Sequence, residues 1–195
     1  MKDFEQKLEN FFNPEILKAN LIIASLYIAV FDNFKTNIVE KVKYFYLSGI
    51  KEGVEQFRDY EKEVLELVKT KKNKQIKATL QWLLNCKMIT EAEIQEFEVC
   101  TNMRNKLAHE MNKMLIEGFP EEIYKNYADM INLFNKIERK WIIEIEMAIN
   151  PPEISYEYIQ WEEITSINLE FIKIMTDIAF TGNEKYMQMV KNYSL

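Results

Sequence analysis

The residues best suited to chemistry lie in the short run from Arg104 through Asn105, Lys106, Leu107 and Ala108 to His109. His109 is the only histidine in the chain, and imidazole has the unperturbed pKa that suits proton transfer near neutral pH. Asn105 precedes His109 by four positions, so both side chains share one helix face, where an amide can orient an imidazole or share its ligand. A single histidine is more often inert than catalytic, but any histidine acid/base chemistry in this protein occurs at His109.

Arg104 interrupts an apolar stripe whose members recur at helical spacing, namely Phe97, Cys100, Leu107, Met111 and Met114. Burying a guanidinium is costly, so Arg104 requires a carboxylate partner, a route for its head group to water, or a functional role. Arg104 and His109 are five positions apart, and an ideal helix directs them roughly 140° apart. A joint site therefore requires Arg104 to reach around the helix, a local distortion, or a second copy of the motif from a partner subunit.

The elements that position these residues are predicted to be helices. Only 4 Gly and 4 Pro occur among the 195 residues, whereas sheet-rich folds need many tight turns that depend on these two residue types. Thr90 followed by Glu93 is a capping-box pattern, and neither Gly nor Pro interrupts the chain from there to Gly118. This pattern predicts one long motif helix from residue 91 to about residue 117.

Apolar periodicity predicts further helices on both sides of the motif helix. They cover residues 14–47, with Asn13 as N-cap and a possible break near Asp32, and residues 54–68, 74–85, 121–149 and 164–178. The predicted fold is an all-α helical bundle of about five to seven helices. Residues 1–150 are predicted to form the bundle domain, and residues 151–195, after Asn150-Pro151-Pro152, a helical C-terminal extension that packs on the bundle or binds a partner.

Composition narrows the class of protein. The formal net charge of −6 argues against broad attraction to a polyanion, so any nucleic-acid contact must be local.

Cys86 and Cys100 form neither a CxxC pair nor a Cys/His cluster, which predicts two buried free thiols and no metal site. The sequence has no P-loop or dinucleotide fingerprint, so no cofactor is predicted. The uncharged run 19–31 is too short for a bilayer span and the N-terminus lacks a secretory pattern, so we expect a cytoplasmic protein without a membrane partner.

The run from Arg104 to His109, on a long helix of an all-α chain, resembles the HEPN superfamily. The hallmark of that superfamily is an Arg, usually followed by a polar residue, with a His after four to six residues, and Asn105 occupies the polar position here. The resemblance covers about residues 14–149. It implies a helical bundle that forms a homodimer across the motif helix. In many members it also implies a metal-independent endoribonuclease in toxin-antitoxin, phage-defence or related systems, with RNA as substrate and an antitoxin or regulatory protein as partner.

Carried over to this chain, the resemblance makes His109 the general acid/base in attack of a ribose 2′-hydroxyl on the adjacent phosphate. Arg104 would stabilise charge on the phosphorane, and Asn105 would position His109 or the RNA. One toxin subgroup has a Tyr two residues after the His, which its partner modifies. This chain has Met111 there, so that form of regulation is not expected.

Two other interpretations stay open on the sequence. The acidic charge and the extra segment 153–195 favour a non-catalytic binding or regulatory module. Alternatively, Arg104 and Asn105 have a structural role and tie neighbouring helices together through buried hydrogen bonds. The same ambiguity applies to a basic run that could guide RNA or form an ordinary solvated helix end, namely Lys69, Lys71, Lys72, Lys74 and Lys77.

Overall fold

A computed structural model describes residues 2–152 and 158–181. It shows an all-α helical bundle with a single two-stranded sheet in that part of the chain, which confirms the predicted fold class. In chain order the helices are α1 (Lys2–Phe12), α2 (Pro14–Phe45), α3 (Tyr60–Glu63), α4 (Lys74–Asn85), α5 (Glu91–Glu117), α6 (Glu122–Trp141), α7 (Met147–Ile149) and α8 (Ile167–Thr181). A π-helical segment, Ile142–Glu146, joins α6 to α7, and short 3-10 turns lie at Leu65–Leu67 and Trp161–Glu163.

Helix α2 is the longest helix described, and it begins as its sequence predicts. The Asn13 side chain accepts hydrogen bonds from the backbone N–H groups of Glu15 and Ile16, at 3.0 and 3.3 Å, with Pro14 at the first helical position. The helix continues through Asp32, so the break considered there does not occur. By length and composition α2 could cross a membrane. Core helices of soluble proteins pass the same test, and one face of α2 is buried in the bundle.

Helix α5 has the predicted bounds, and a capping box fixes its start. The Thr90 backbone N–H donates to Glu93 Oε2 at 2.9 Å, and the Glu93 N–H donates to Thr90 Oγ1 at 3.3 Å, which completes a capping box. Lys136 of α6 also donates to Glu93. Partial burial by itself would raise the pKa of Glu93, but the hydrogen bonds from Lys136 and Thr90 lower it below its usual value.

The prediction of a helix over residues 54–68 is wrong. This segment contains the second strand of a β-hairpin, followed by short helical turns. Strands β1 (Leu47–Lys51) and β2 (Val54–Phe57) pair antiparallel through a two-residue turn. Glu52 and Gly53 in that turn have φ of 53° and 78°, which is the backbone of the type I′ turns that close right-twisted hairpins. Asp59 then adopts a left-handed φ of 65° before α3 begins. The positive φ angles at Glu52, Gly53 and Asp59 are incompatible with a continuous helix, although the apolar residues are spaced as in one.

Aromatic rings hold the three longest helices together. The ring of Phe34 on α2 stacks on Phe134 of α6 with centroids 4.6 Å apart, and it meets Phe97 of α5 edge-on at 5.5 Å. Phe31 lies 5.4 Å from the same Phe97 ring. These contacts fix the direction of α5, and therefore of the motif, relative to α2.

The described part of the C-terminal segment packs on α2 and α6. Leu169 and Ile172 of α8 are buried, and Tyr127 of α6 shares a 2.8 Å hydrogen bond with Thr176. Residues 153–157 and 182–195 lie outside the described residues, and the division of the chain near residue 150 stays a prediction.

The two cysteines differ in their surroundings. Both are free, as predicted, but only Cys100 is buried, whereas Cys86 is exposed at the C-terminal end of α4. The prediction that both thiols are buried is therefore wrong for Cys86, which is the C-cap residue of α4. Burial raises the pKa of Cys100 to about 11, and partial burial also raises that of Cys86.

We expect a thiol reagent at pH 8 to modify Cys86 of the folded protein at least about tenfold faster than Cys100, because the buried thiol lacks both access and thiolate character. Since both pKa values are raised, both labelling rates should increase as the pH rises through 9. Mass spectrometry of timed samples would measure this. The Cys86→Ser variant should lose the fast phase, and equal rates at both thiols would contradict the structure.

We expect Phe134→Ala to lower the free energy of unfolding by about 3–5 kcal/mol, because it removes a fully buried ring that stacks on Phe34. Urea unfolding followed by circular dichroism would measure the loss. Tyr124→Ala, on the exposed side of the same helix, should change stability by no more than about 0.5 kcal/mol. Similar losses for the two variants would show that the α2–α6 contact is misplaced.

Candidate functional site

The motif residues occupy two sides of α5. Leu107 is fully buried and anchors this stretch of the helix to the core, together with Phe97, Cys100 and Met114 of the predicted stripe. Asn105 and His109 are exposed on the outer side, as their shared spacing predicts. Arg104 lies between the two environments and is partly buried. The helix therefore presents Asn105 and His109 to solvent while it turns Arg104 towards α2.

Arg104 has a carboxylate partner in Asp32 of α2. Its Nε donates to Asp32 Oδ1 at 3.1 Å and its terminal nitrogen donates to Oδ2 at 2.8 Å. This two-point geometry is the strongest form of arginine–carboxylate contact and fixes the plane of the guanidinium. The side chains stay 27% and 47% exposed, so water screens the pair and reduces its net stabilisation.

A small polar pocket of about 220 Å³ opens beside this pair, between α2, α5 and the start of α4. Its apolar wall comes from Phe31, Ile76 and Phe97. Its polar lining consists of Asp32, Lys35, Asn73, Thr101, Arg104 and Asn105. The structure thus brings two of the three predicted site residues, Arg104 and Asn105, to one pocket.

The pocket also meets the basic run considered from the sequence. Asn73, with a left-handed φ of 55°, lies immediately before α4 and lines the pocket. Lys72 and Lys74 flank it along the chain, and Lys35 contributes a second positive charge to the lining. The charged residues of the lining are Asp32, Lys35 and Arg104, which sum to +1, whereas Lys72 and Lys74 are only neighbours of Asn73 in the chain.

His109 does not line this pocket. A kink does occur in α5, at Glu110 with φ −120° and ψ 16°, but it follows His109 and leaves the helix between positions 104 and 109 regular. A local distortion therefore does not bring the imidazole to the guanidinium. Within the described residues of one chain, Arg104 and His109 stay on different sides of α5, about 140° apart by helical geometry.

Sequence reasoning missed Asp32 and Lys35 as members of the site. Asp32 is the first charged residue after the uncharged run 19–31, and that position was considered only as a break in the helix. Asp32 is a lone carboxylate at the end of a long uncharged stretch, and Arg104 is a lone guanidinium in an apolar stripe. Their opposite charges could have indicated that they pair. Their pairing across 72 residues of sequence follows from how α2 lies on α5.

In residues 2–152 and 158–181, no three His, Cys, Asp or Glu side chains converge as a metal site would require. The groups available at the pocket are therefore hydrogen-bond donors and acceptors and fixed charges.

Comparison of the chain with protein-family models, curated proteins and solved structures gave no match. The HEPN resemblance therefore depends on the motif residues and on the helix that carries them.

We expect the Arg104–Asp32 pair to show a coupling of about 0.5–1 kcal/mol in the free energy of unfolding, because its two-point geometry is good but both side chains are partly exposed. A double-mutant cycle with Arg104→Ala, Asp32→Ala and the double variant, measured by urea unfolding, gives this value. The exposed pair Lys113–Glu117 on the same helix, 3.9 Å apart, is the control and should couple by at most about 0.3 kcal/mol. Equal couplings in the two cycles would contradict a specific Arg104–Asp32 contact.

Proposed function

We propose that this chain is a metal-independent endoribonuclease of the HEPN type that acts as a cytoplasmic homodimer in a toxin-antitoxin or phage-defence setting. The observation that carries the proposal is the exposed placement of Asn105 and His109 on a long, capped helix, beside a pocket lined by Arg104. Exposure at these positions leaves the imidazole accessible to a nucleic-acid strand.

In the proposed reaction His109 withdraws the proton from a ribose 2′-hydroxyl, and that oxygen attacks the adjacent phosphorus. The bond from phosphorus to the 5′-oxygen breaks, and the departing oxygen takes up a proton from water. The products are a 2′,3′-cyclic phosphate and a free 5′-hydroxyl end. Asn105, one turn before His109 on the same exposed face, would orient the imidazole or the RNA.

Arg104 would bind the phosphate through the same two-point geometry that it uses with Asp32. A phosphate offers several oxygens to a guanidinium and competes with a carboxylate for it, so RNA would replace Asp32 as the partner of Arg104. Lys35 adds positive charge at the pocket, where the backbone of the strand would lie. Lys72 and Lys74, on either side of Asn73 in the chain, would extend the attraction to a longer strand.

A homodimer would bring the separated groups together. Because Arg104 and His109 point in different directions from one helix, a second α5 facing the first would place the partner's imidazole near the pocket of this chain. The proposed site is then composite, with phosphate held on one protomer and the proton moved by the other.

The second candidate function is a non-catalytic module that binds a protein partner such as an antitoxin or a regulator. The Arg104–Asp32 pair favours it, because Arg104 already has a complete partner in the single chain. The net charge of −6 favours it as well, since RNA binding gains affinity from lysines and arginines.

We expect the wild-type protein to cleave mixed cellular RNA in EDTA and to leave cyclic-phosphate ends, and His109→Ala to lower the rate about 10²- to 10⁴-fold, as loss of a general acid/base does. Arg104→Ala should lower it strongly as well. Gel analysis with end-group chemistry follows the products. Because His109 is exposed, its substitution should leave the melting temperature unchanged.

Asn112→Ala, an exposed change one turn further along α5, is the matched control and should retain full activity. Intact RNA with folded, dimeric wild-type protein would favour the binding module. Equal cleavage by wild type and His109→Ala would exclude His109 as the proton-transfer group.

A further inference from the structure

Helix α8 has apolar residues on two opposite faces. Leu169 and Ile172 are buried against the bundle, and Thr176 on the same face shares a hydrogen bond with Tyr127. The opposite face lies roughly 160° away by helical geometry. It carries four exposed apolar side chains, which we call the α8 ridge: Ile167 (90% exposed), Phe171 (61%), Ile174 (37%) and Ile178 (36%). A helix that is apolar on opposite faces is normally covered on both.

The α8 ridge has the spacing and the size of a packing surface. Its residues follow one another at intervals of four, three and four positions, as in helix faces that insert into a neighbouring protein surface. A large apolar side chain presents about 150–250 Å² when fully exposed, so the ridge exposes roughly 400 Å². Each partner in a stable protein interface contributes about 800 Å². The ridge alone therefore offers about half of what such an interface needs.

An apolar groove lies beside the ridge, along the N-terminal half of α2. It has a volume of about 680 Å³, and Ala179 of α8, which directly follows the last ridge residue, forms part of its wall. Most of the remaining wall is aliphatic and comes from α2, chiefly from Leu17, Leu21, Ile22 and Leu26. A protruding apolar surface and a concave one are therefore neighbours on the same side of the molecule.

This combination is complementary to a second copy of itself. In a two-fold arrangement the ridge of each chain enters the groove of the other, so one contact covers both apolar features of both chains. The charges agree with this pairing. Lys18 is the one charged side chain among the described residues that line the groove, whereas the charged residues of α8 are Glu170, Lys173 and Asp177, which sum to −1. A positive groove that faces a negative helix flank favours the ridge-to-groove orientation.

We propose that the α8 ridge and the α2 groove form an interface between two copies of this chain, separate from the motif face of α5. A lipid surface fits less well, because helices that lie on membranes carry Lys and Arg beside their apolar face, whereas α8 carries two carboxylates and one lysine. The interface does not depend on the endoribonuclease proposal, since no residue of the ridge or the groove lines the motif pocket.

The first test is the mass of the full chain in solution, measured by light scattering after size-exclusion chromatography. We expect Phe171→Asp to halve the wild-type mass, because it buries an unpaired carboxylate in the centre of an apolar interface. Ile50→Asp is the matched control, since Ile50 is 69% exposed on the hairpin, and it should leave the mass unchanged. Both substituted side chains are exposed, so both variants should keep the circular dichroism spectrum of the wild type.

A mixing experiment tests whether the ridge enters the groove. Ser25→Arg places a long charged side chain in the groove lining, at an exposed position, and should also halve the mass. A mixed pair of Phe171→Asp and Ser25→Arg keeps one intact ridge-to-groove contact and brings opposite charges together at the other. We therefore expect the equimolar mixture to recover the wild-type mass, with an affinity at least about tenfold above that of either variant alone.

An unchanged mass for Phe171→Asp, or no recovery on mixing, would overturn the proposal. A wild-type chain that is monomeric would overturn it as well, and sedimentation of that chain with phosphatidylglycerol vesicles would identify a lipid surface as the occupant. These readouts are independent of RNA cleavage and of His109, so failure of the interface and failure of the endoribonuclease proposal are distinguishable.

Discussion

The packing of Phe34 between α5 and α6 is the contact on which the rest of the structure depends. One ring on α2 stacks on Phe134 and meets Phe97 edge-on, so a single side chain sets the positions of the two helices that carry the polar residues. Two positions before Phe34, Asp32 meets Arg104, and two turns after it Lys41 meets Glu138. Both charged contacts are therefore positioned by one helix, and a displacement of α2 would break both.

The sequence predicted correctly the helix ends that are set by neighbouring capping residues. The capping box at Thr90 and the glycine at position 118 define α5, and Asn13 with Pro14 defines the start of α2. The hairpin was missed because its signal is the conformation of Glu52 and Gly53, two residues that apolar periodicity ignores. The stripe on α5 was likewise predictable from spacing, and the exposure of His109 agrees with its position off that stripe.

Contacts between distant residues could not be predicted from the sequence. The spacing identified Arg104 as a residue in need of a partner, but Asp32 became that partner only because α2 crosses α5 at this level. The burial of Glu138 could not be predicted, since a glutamate on an amphipathic helix is expected to face water. Its burial follows from α8 and the segment before it, which lie over α2 and α6. These features are set by tertiary packing, which local patterns do not contain.

The kink at Glu110 divides α5 into two arms with different attachments. The first arm, residues 91–109, is fixed by its cap and by the aromatic core, and it carries the motif. The second arm leads through Gly118, with φ 91°, into α6. Because the non-helical backbone of Glu110 follows the whole motif, the placement of Arg104, Asn105 and His109 is set by the first arm alone. Contacts made by residues 111–117 and by the turn at Gly118 therefore set the direction of the second arm, which is not the part of α5 that carries the motif.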